Sequence, residues 1–306
     1  MAYRTRLSFA VRLAACVAVY LIINHGALYA QPPGVPVIRD SSVGYIDPAI
    51  PGNIVRLRAD ASYDNIEAAR AEFFYPRTGA RGPGPQFSET SVDHQEISLY
   101  VERAWSELFS GFINAPVRFI DPEINDNDAG FGDLDAGFKY ALTYSQQFFT
   151  TFQLRTYVPT GNARDGLGTD HVTIEPALLG YSAITDRIRL EGEFRYWIPV
   201  DGTDFAGDTL RYGIGASYLL PLQGALRISP VAEVVGWTIL GGKSSRAAAP
   251  DQFIIEDAQG ATLVHAKLGV RASLGQRWNV YAGYGRPMTG DAWYDETFRL
   301  ELRWLY

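Results

Sequence analysis

The chain has 306 residues, with 47% hydrophobic, 20% charged and 13% aromatic side chains and a formal net charge of −7. This acidity argues against a nucleic-acid binder, which needs basic stripes, and the near-neutral mean hydropathy argues against a bundle of membrane helices. A membrane β-barrel stays open, because only alternate residues of its strands face lipid.

Residues 1–30 read as a cleavable signal peptide. Arg4, Arg6 and Arg12 form a cationic start, Leu13 to Ile23 a short apolar run, and Gly26-Ala27-Leu28-Tyr29-Ala30 a small-residue site with a cut expected after Ala30. The apolar run is shorter than the roughly 20 residues that a spanning helix needs. Leu13-Ala14-Ala15-Cys16 looks like a lipoprotein box, but Arg12 precedes it and the hydrophobic stretch follows the cysteine, so lipidation is not expected. Cys16 is the only cysteine, so the exported chain cannot use disulfides.

Residues 31–52 read as a flexible periplasmic leader and 53–306 as one barrel domain. Period-two alternation then runs through the chain. Val55, Leu57, Ala59, Ala61 and Tyr63 alternate with Arg56, Arg58, Asp60 and Ser62, and Leu134, Ala136, Phe138, Tyr140 and Leu142 with Asp133, Asp135, Gly137 and Lys139. Ile188, Leu190, Phe194, Tyr196 and Ile198 oppose Arg189, Glu191, Glu193 and Arg195. A helix would scatter these apolar residues around its circumference, whereas a strand gathers them on one face. The rhythm predicts twelve strands near 53–63, 94–105, 111–120, 131–143, 147–158, 170–182, 187–198, 209–220, 225–237, 261–274, 278–286 and 296–306. An even count returns both termini to one side.

Connections at Tyr144-Ser145-Gln146, Thr185-Asp186, Pro221-Leu222-Gln223 and Gly275-Gln276 are short. Those at 64–93, 121–130, 160–169, 201–208 and 240–260 are long. Such alternation suits short periplasmic turns and long outer loops. Tyr63, Trp105, Tyr144, Tyr157, Tyr181, Trp197, Trp237, Trp278 and Trp304 fall near strand ends, where amphipathic rings favour the headgroup level. The last strand, Phe298 to Tyr306, sets Phe298, Leu300, Leu302, Trp304 and Tyr306 against Arg299, Glu301 and Arg303. It resembles the C-terminal signature that hands outer-membrane proteins to the barrel-assembly machinery, an expected partner along with outer-membrane lipids.

Two stretches carry a family resemblance. Gly130-Phe131-Gly132-Asp133-Leu134-Asp135-Ala136-Gly137-Phe138-Lys139-Tyr140 and Leu154-Arg155-Thr156-Tyr157-Val158-Pro159-Thr160-Gly161, followed by Gly166-Leu167-Gly168-Thr169, resemble segments of the outer-membrane transporter family associated with meta-pathway phenol degradation. The resemblance covers about 130–220 and implies passive passage of small molecules, hydrophobic or aromatic. Read from the residues alone, Gly130 and Gly132 permit a turn or bulge at the strand entry, and Pro159 ends a strand where no ladder donor is needed.

The polar parity of each strand defines candidate lumen residues. These are Arg56, Arg58, Glu102, Asp133, Asp135, Lys139, Arg155, Arg189, Glu191, Glu193, Arg195, Arg211, Arg227, Glu233, Lys267, Arg271, Arg299, Glu301 and Arg303, with Asp60 and Glu175 of the same parity. They read either as a pore with slight anion preference or as charges that pair across a narrow lumen and fill it. The loop containing Thr78 to Pro85 either folds inward as a constriction or lies outside.

No enzyme, cofactor or metal site is expected. The exported chain's histidines are His94, His171 and His265, and the neighbours in Asp93-His94 and Asp170-His171 point to opposite strand faces. The acidic run Asn125-Asp126-Asn127-Asp128-Ala129-Gly130 lacks calcium-loop spacing and a closing glutamate. The reading is therefore an all-β, up-and-down transmembrane barrel in the outer membrane for passive transport of small molecules. Two alternatives stand beside it: a structural or adhesive barrel with a closed lumen, and a soluble exported β-sandwich.

Overall fold

The computed structural model describes residues 41–65, 83–87, 89–145, 147–200, 202, 204–249, 252–290 and 292–306. The expected signal peptide, residues 31–40 and most of the 64–93 loop lie outside them. The strands are β1 (Ile54–Asn65), β2 (Val92–Ala104), β3 (Phe109–Pro122), β4 (Asp128–Phe131), β5 (Leu134–Tyr144), β6 (Phe148–Val158), β7 (Val172–Ala183), β8 (Ile188–Val200), β9 (Thr209–Tyr218), β10 (Leu226–Ile239), β11 (Lys243–Ala249), β12 (Gln252–Asp257), β13 (Thr262–Leu274), β14 (Trp278–Pro287) and β15 (Glu296–Leu305). No helix among the described residues is long and apolar enough to cross a membrane.

Twelve of these strands pair antiparallel with their neighbours in a closed ring. β1 joins the last strand β15 from Ile54↔Leu305 to Tyr63↔Glu296, and β2 joins β3 from Val92↔Pro122 to Ala104↔Ser110. Closure removes every edge, so no strand leaves its amides unpaired in lipid. β4 continues β5 after a break at Gly132-Asp133, both pairing with β3. The remaining strands, β11 and β12, form a separate hairpin. The expected 240–260 loop therefore carries two strands, which Lys243-Ser244-Ser245-Arg246-Ala247-Ala248-Ala249 does not announce by alternation. The expected 121–130 loop shrinks as well, because β3 runs to Pro122 and β4 starts at Asp128.

Strand parity sorts the faces. Leu268 is 64% exposed, Ile214 59%, Leu300 56% and Phe194 50%, all pointing outward, whereas Glu102, Lys139, Arg195 and Glu301 point inward at 0%. A wall with apolar side chains outside and charged ones within inverts a soluble protein and suits lipid. The termini of the barrel and five short connections share one end, including the turn at Gly275, whose φ of 62° suits glycine. By the usual asymmetry that end faces the periplasm.

The aromatic residues divide. Tyr63, Trp105, Tyr144 and Trp278 are exposed on the outer surface near strand ends. Tyr181, Trp197 and Trp237 are instead buried inside, and Tyr157 turns inward to Glu175, so these four do not form the expected headgroup belt. Each shares the parity of an inward neighbour (Leu179, Arg195, Glu233 or Arg155), and parity outranks nearness to a strand end.

Candidate functional site: a plugged lumen

Residues 41–49 are buried, not flexible, and they lie inside the barrel. The expectation of a free leader fails for this part because its peptide groups find charged partners on the wall. Glu191 accepts from the N–H of Ser42 at 2.8 Å. Glu233 accepts from Gly44 at 2.9 Å, Tyr45 at 2.9 Å and Ile46 at 3.1 Å, and Glu193 from Asp47 at 3.1 Å. Arginines take the carbonyls: Arg271 donates to Ser42 and Val43 at 2.8 and 2.7 Å, Arg299 to Gly44 at 2.7 Å, and Arg211 to Tyr45 at 2.6 Å. Hydrogen bonds to charged groups contribute about 1.5–3 kcal/mol each, so a segment with no strand pairing of its own is firmly seated.

The described part of the segment starts and ends toward the periplasmic end. Ser41 O meets Arg303 near the start of that path. The apex is Tyr45, under Lys267 and Arg299. The return passes Asp47 and Ala49, whose carbonyl accepts from Thr151, to Gly52, whose N–H reaches Glu102. Asp47 pairs with Arg155 at 2.5 Å and Arg195 at 2.7 Å. Burial opposes its ionisation, but Arg155, Arg195, Arg56 and Lys139 outweigh burial and hold the carboxyl well below the usual range. This pairing therefore steadies the loop above the ordinary carboxylate pKa and is lost only as pH falls through the lowered one.

Space for the loop comes from glycines of inward parity. A Cβ on Gly215 would sit 2.6 Å from Val43 Cγ1, and one on Gly213 3.3 Å from Ile46 Cγ1. A Cβ on Gly44 would sit 2.2 Å from Tyr281 Cε1, and Tyr281 also lies over Gly269 and Gly283. Val43, Tyr45 and Ile46 thereby join Trp197, Val231, Val235, Trp237, Leu263, Tyr281, Trp293 and Tyr294 in one apolar cluster within the barrel. Polar parity alone missed this cluster. The readable signal was glycine at inward positions, since a missing side chain in a wall leaves room for something else.

Most predicted lumen residues meet one another or the loop. Glu301 receives Arg58 at 2.9 Å, Arg271 at 3.0 Å and Arg303 at 2.7 Å, with Arg56 at 3.7 Å. Lys139 pairs with Glu102 at 2.8 Å, Arg155 with Asp135 at 3.3 Å, Arg211 with Glu193 at 2.9 Å and Arg299 with Asp60 at 2.6 Å. Arg195 spans Glu175 and Glu193 at 2.9 and 2.6 Å, and Arg189 reaches Ser42 Oγ at 3.1 Å. Arg227 lies apart, exposed at the periplasmic rim, where β10 is paired with β13 but its pairing with β9 has not begun.

Asp133 does not face an aqueous lumen either. At the break between β4 and β5 it accepts from Gly161 N at 3.0 Å and from Thr169 N and Oγ1, both at 2.8 Å, pinning the 159–171 loop over the outer mouth. Thr160 Oγ1 closes the same break, taking Leu134 N and donating to Gly132 O, both at 2.9 Å. The two motif stretches are thus one latch, with Leu167 packed on Val92 and Ile120. Asp133→Ala removes a charged acceptor serving three hydrogen bonds. We expect it to loosen 160–169 by about 3 kcal/mol, read as faster cleavage of that loop by protease added to intact cells. Unchanged cleavage would mean that Thr160 and Leu167 suffice.

The remaining candidates are dispersed. His94 Nδ1 lies 3.4 Å from Asn65 Nδ2, while Asp93 accepts from Asp64 N, so the pair diverges. His171 Nδ1 bonds Thr169 O at 2.8 Å, and Asp170 adopts a φ of 59°. Asn125 exchanges hydrogen bonds with Phe87, using the acidic turn to hold the end of the first long loop.

Residues 79–297 match the family described as "Putative MetA-pathway of phenol degradation". Among solved structures, an outer membrane channel from Pseudomonas putida F1 resembles this chain with a TM-score of 0.53 at 12% identity, over 87% of this chain and 98% of that one. The β domain of the Bordetella autotransporter BrkA gives 0.47 at 15% identity, over 83% and 100%. The KdgM porin gives 0.44 at 11% identity, over 83% and 99%. No curated protein sequence matches. With its lipid-facing exterior and closed strand ring, the protein is an outer-membrane β-barrel.

Proposed function

We propose that this chain, which belongs to the MetA-pathway phenol-degradation family, is a passive channel for small, weakly polar or aromatic solutes, closed at rest by its own residues 41–52. One observation carries this reading: the lumen is filled by a loop held through side-chain contacts, without a single strand pairing. The loop can leave toward the periplasm while every strand of the wall stays paired. A barrel that served only as a scaffold would gain nothing from a separable filling.

The exterior contacts outer-membrane lipids, and the C-terminal strand Phe298–Tyr306 is the segment read by the assembly machinery. Catalysis has no place in this reading, since Asp93 diverges from His94 and each pairs elsewhere. The alternative of a closed structural barrel draws on the same filled lumen and differs only in whether the filling moves.

The test is flux into liposomes carrying purified full-length protein. Uptake of a small aromatic solute above that of protein-free liposomes, with little swelling in a hydrophilic sugar, is the expected pattern. Absence of uptake for both solutes would leave the structural barrel as the better account.

A further inference from the structure

The outer end of the lumen holds an aromatic box with an unusual tenant. Trp237 on β10 and His265 and Lys267 on β13 project from the wall, and Tyr45 rises from the loop below. The His265 ring stands edge-on to Trp237 at 5.5 Å and lies 4.6 Å from the ring of Tyr294. Lys267 Nζ sits 3.8 Å over the Tyr45 ring and donates to Tyr294 Oη at 2.6 Å. The side chain filling the box is therefore a phenol, gripped by its hydroxyl and flanked by rings.

Tyr294 differs from the wall members in how it is held. It belongs to the 288–295 connection between β14 and β15, which carries Trp293 and Tyr294 inward to 3% and 2% exposure. Trp237, His265 and Lys267 are fixed on strands, whereas the guest is on a loop. A second observation points to a ligand: His265 is fully buried, and neither ring nitrogen has a hydrogen-bond partner among the described residues. A buried polar group left unsatisfied forfeits the hydrogen bonds it had in water, so its retention calls for a reason. The Tyr294 hydroxyl is on Lys267 and leaves His265 unserved, whereas a free ring can orient its hydroxyl toward either group.

The geometry points to a binding site for hydroxylated six-membered aromatic rings in this box, with Tyr294 as a built-in competitor that the 288–295 connection withdraws when a ligand enters. Ring faces and edges supply the attraction for a flat π-system. Lys267 and His265 discriminate for the hydroxyl, because an analogue lacking it leaves buried polar groups unpaired. For its consequence, selective entry, the inference rests on the channel reading above; for binding itself it does not.

The experiment is phenol binding to the detergent-solubilised full chain, followed by calorimetry and by Trp fluorescence, with toluene and cyclohexanol as probes lacking the hydroxyl or the π-system. Phenol is expected to bind more tightly than either. Tyr294→Ala is expected to bind phenol about tenfold more tightly than the native protein, since removing a competitor raises the fraction of competent sites. Tyr294→Phe, which keeps the ring but gives up the Lys267 bond, should fall between them and serves if the alanine variant does not fold. Lys267→Met should bring phenol and toluene together. Phenol affinity unchanged in both Tyr294 variants, or equal affinity for phenol and toluene in the native chain, overturns the site. Binding without flux into liposomes overturns the channel reading and leaves the site standing, while flux without binding does the reverse.

Discussion

Deleting Ser42 to Ala49 will convert a nearly closed barrel into a conducting one, with single-channel conductance several-fold above the native protein. The loop meets the wall only through side chains, and the register of β1 with β15 and with β2 begins beyond it, at Ile54. Its removal strips partners from Glu191, Glu193, Glu233, Arg211 and Arg271. An unpaired charge buried in a dry core costs several kcal/mol, but an emptied lumen admits water and these groups rehydrate. The barrel should therefore keep its heat-dependent shift on SDS gels, compact unboiled and slower after boiling. Loss of Asp47 also leaves the wall arginines Arg155 and Arg195 with one acid fewer in the lumen, so the opened pore should prefer anions, read from the reversal potential in a salt gradient. Gly215→Leu approaches the same state from the wall, because even a Cβ there meets Val43 at 2.6 Å. A folded deletion variant with native conductance would show that residues 41–49 are not what closes the lumen.

Glu301→Ala is expected to be the most damaging single change in the wall. The carboxylate is fully buried and gathers Arg56, Arg58, Arg271 and Arg303 within 3.7 Å. Without it four guanidiniums face one another, with Asp60 already committed to Arg299. Removing one partner of a buried ion cluster costs about 3–5 kcal/mol, which should appear as a lower urea concentration or temperature for loss of the compact band. Glu301→Gln keeps the shape and loses the charge, so it should fall nearly as far. Arg227→Ala, at the exposed rim, should stay within about 0.5 kcal/mol of native. If Glu301→Ala is as stable as native, water in the lumen is screening the arginines and the cluster is not a structural keystone.

How much of this was readable beforehand divides along one physical line. Alternation of Leu57 with Arg56 and Arg58, or of Leu300 with Arg299 and Glu301, determined strand, face and membrane setting together, because a two-residue period leaves a side chain only two directions to point. The same rule, applied strictly, would also have turned Trp197 and Trp237 inward. Family motifs such as Gly132-Asp133 and Pro159-Thr160-Gly161 were recognisable in sequence, yet their role as a latch depends on a contact between the paired ends of β5 and β6 that no local pattern encodes.

The loop inside the lumen belongs wholly to the tertiary structure. Ser41-Ser42-Val43-Gly44-Tyr45-Ile46-Asp47 has neither helical nor strand periodicity, and most of its hydrogen bonds go to side chains more than 100 residues away, such as Glu191 and Arg271. Whether Glu233 or Arg271 lines a pore or grips a peptide depends on what fills the space between opposite walls. That space is created only when β1 meets β15 and the ring closes, which is why local pattern determined the wall of this protein and three-dimensional closure determined its contents.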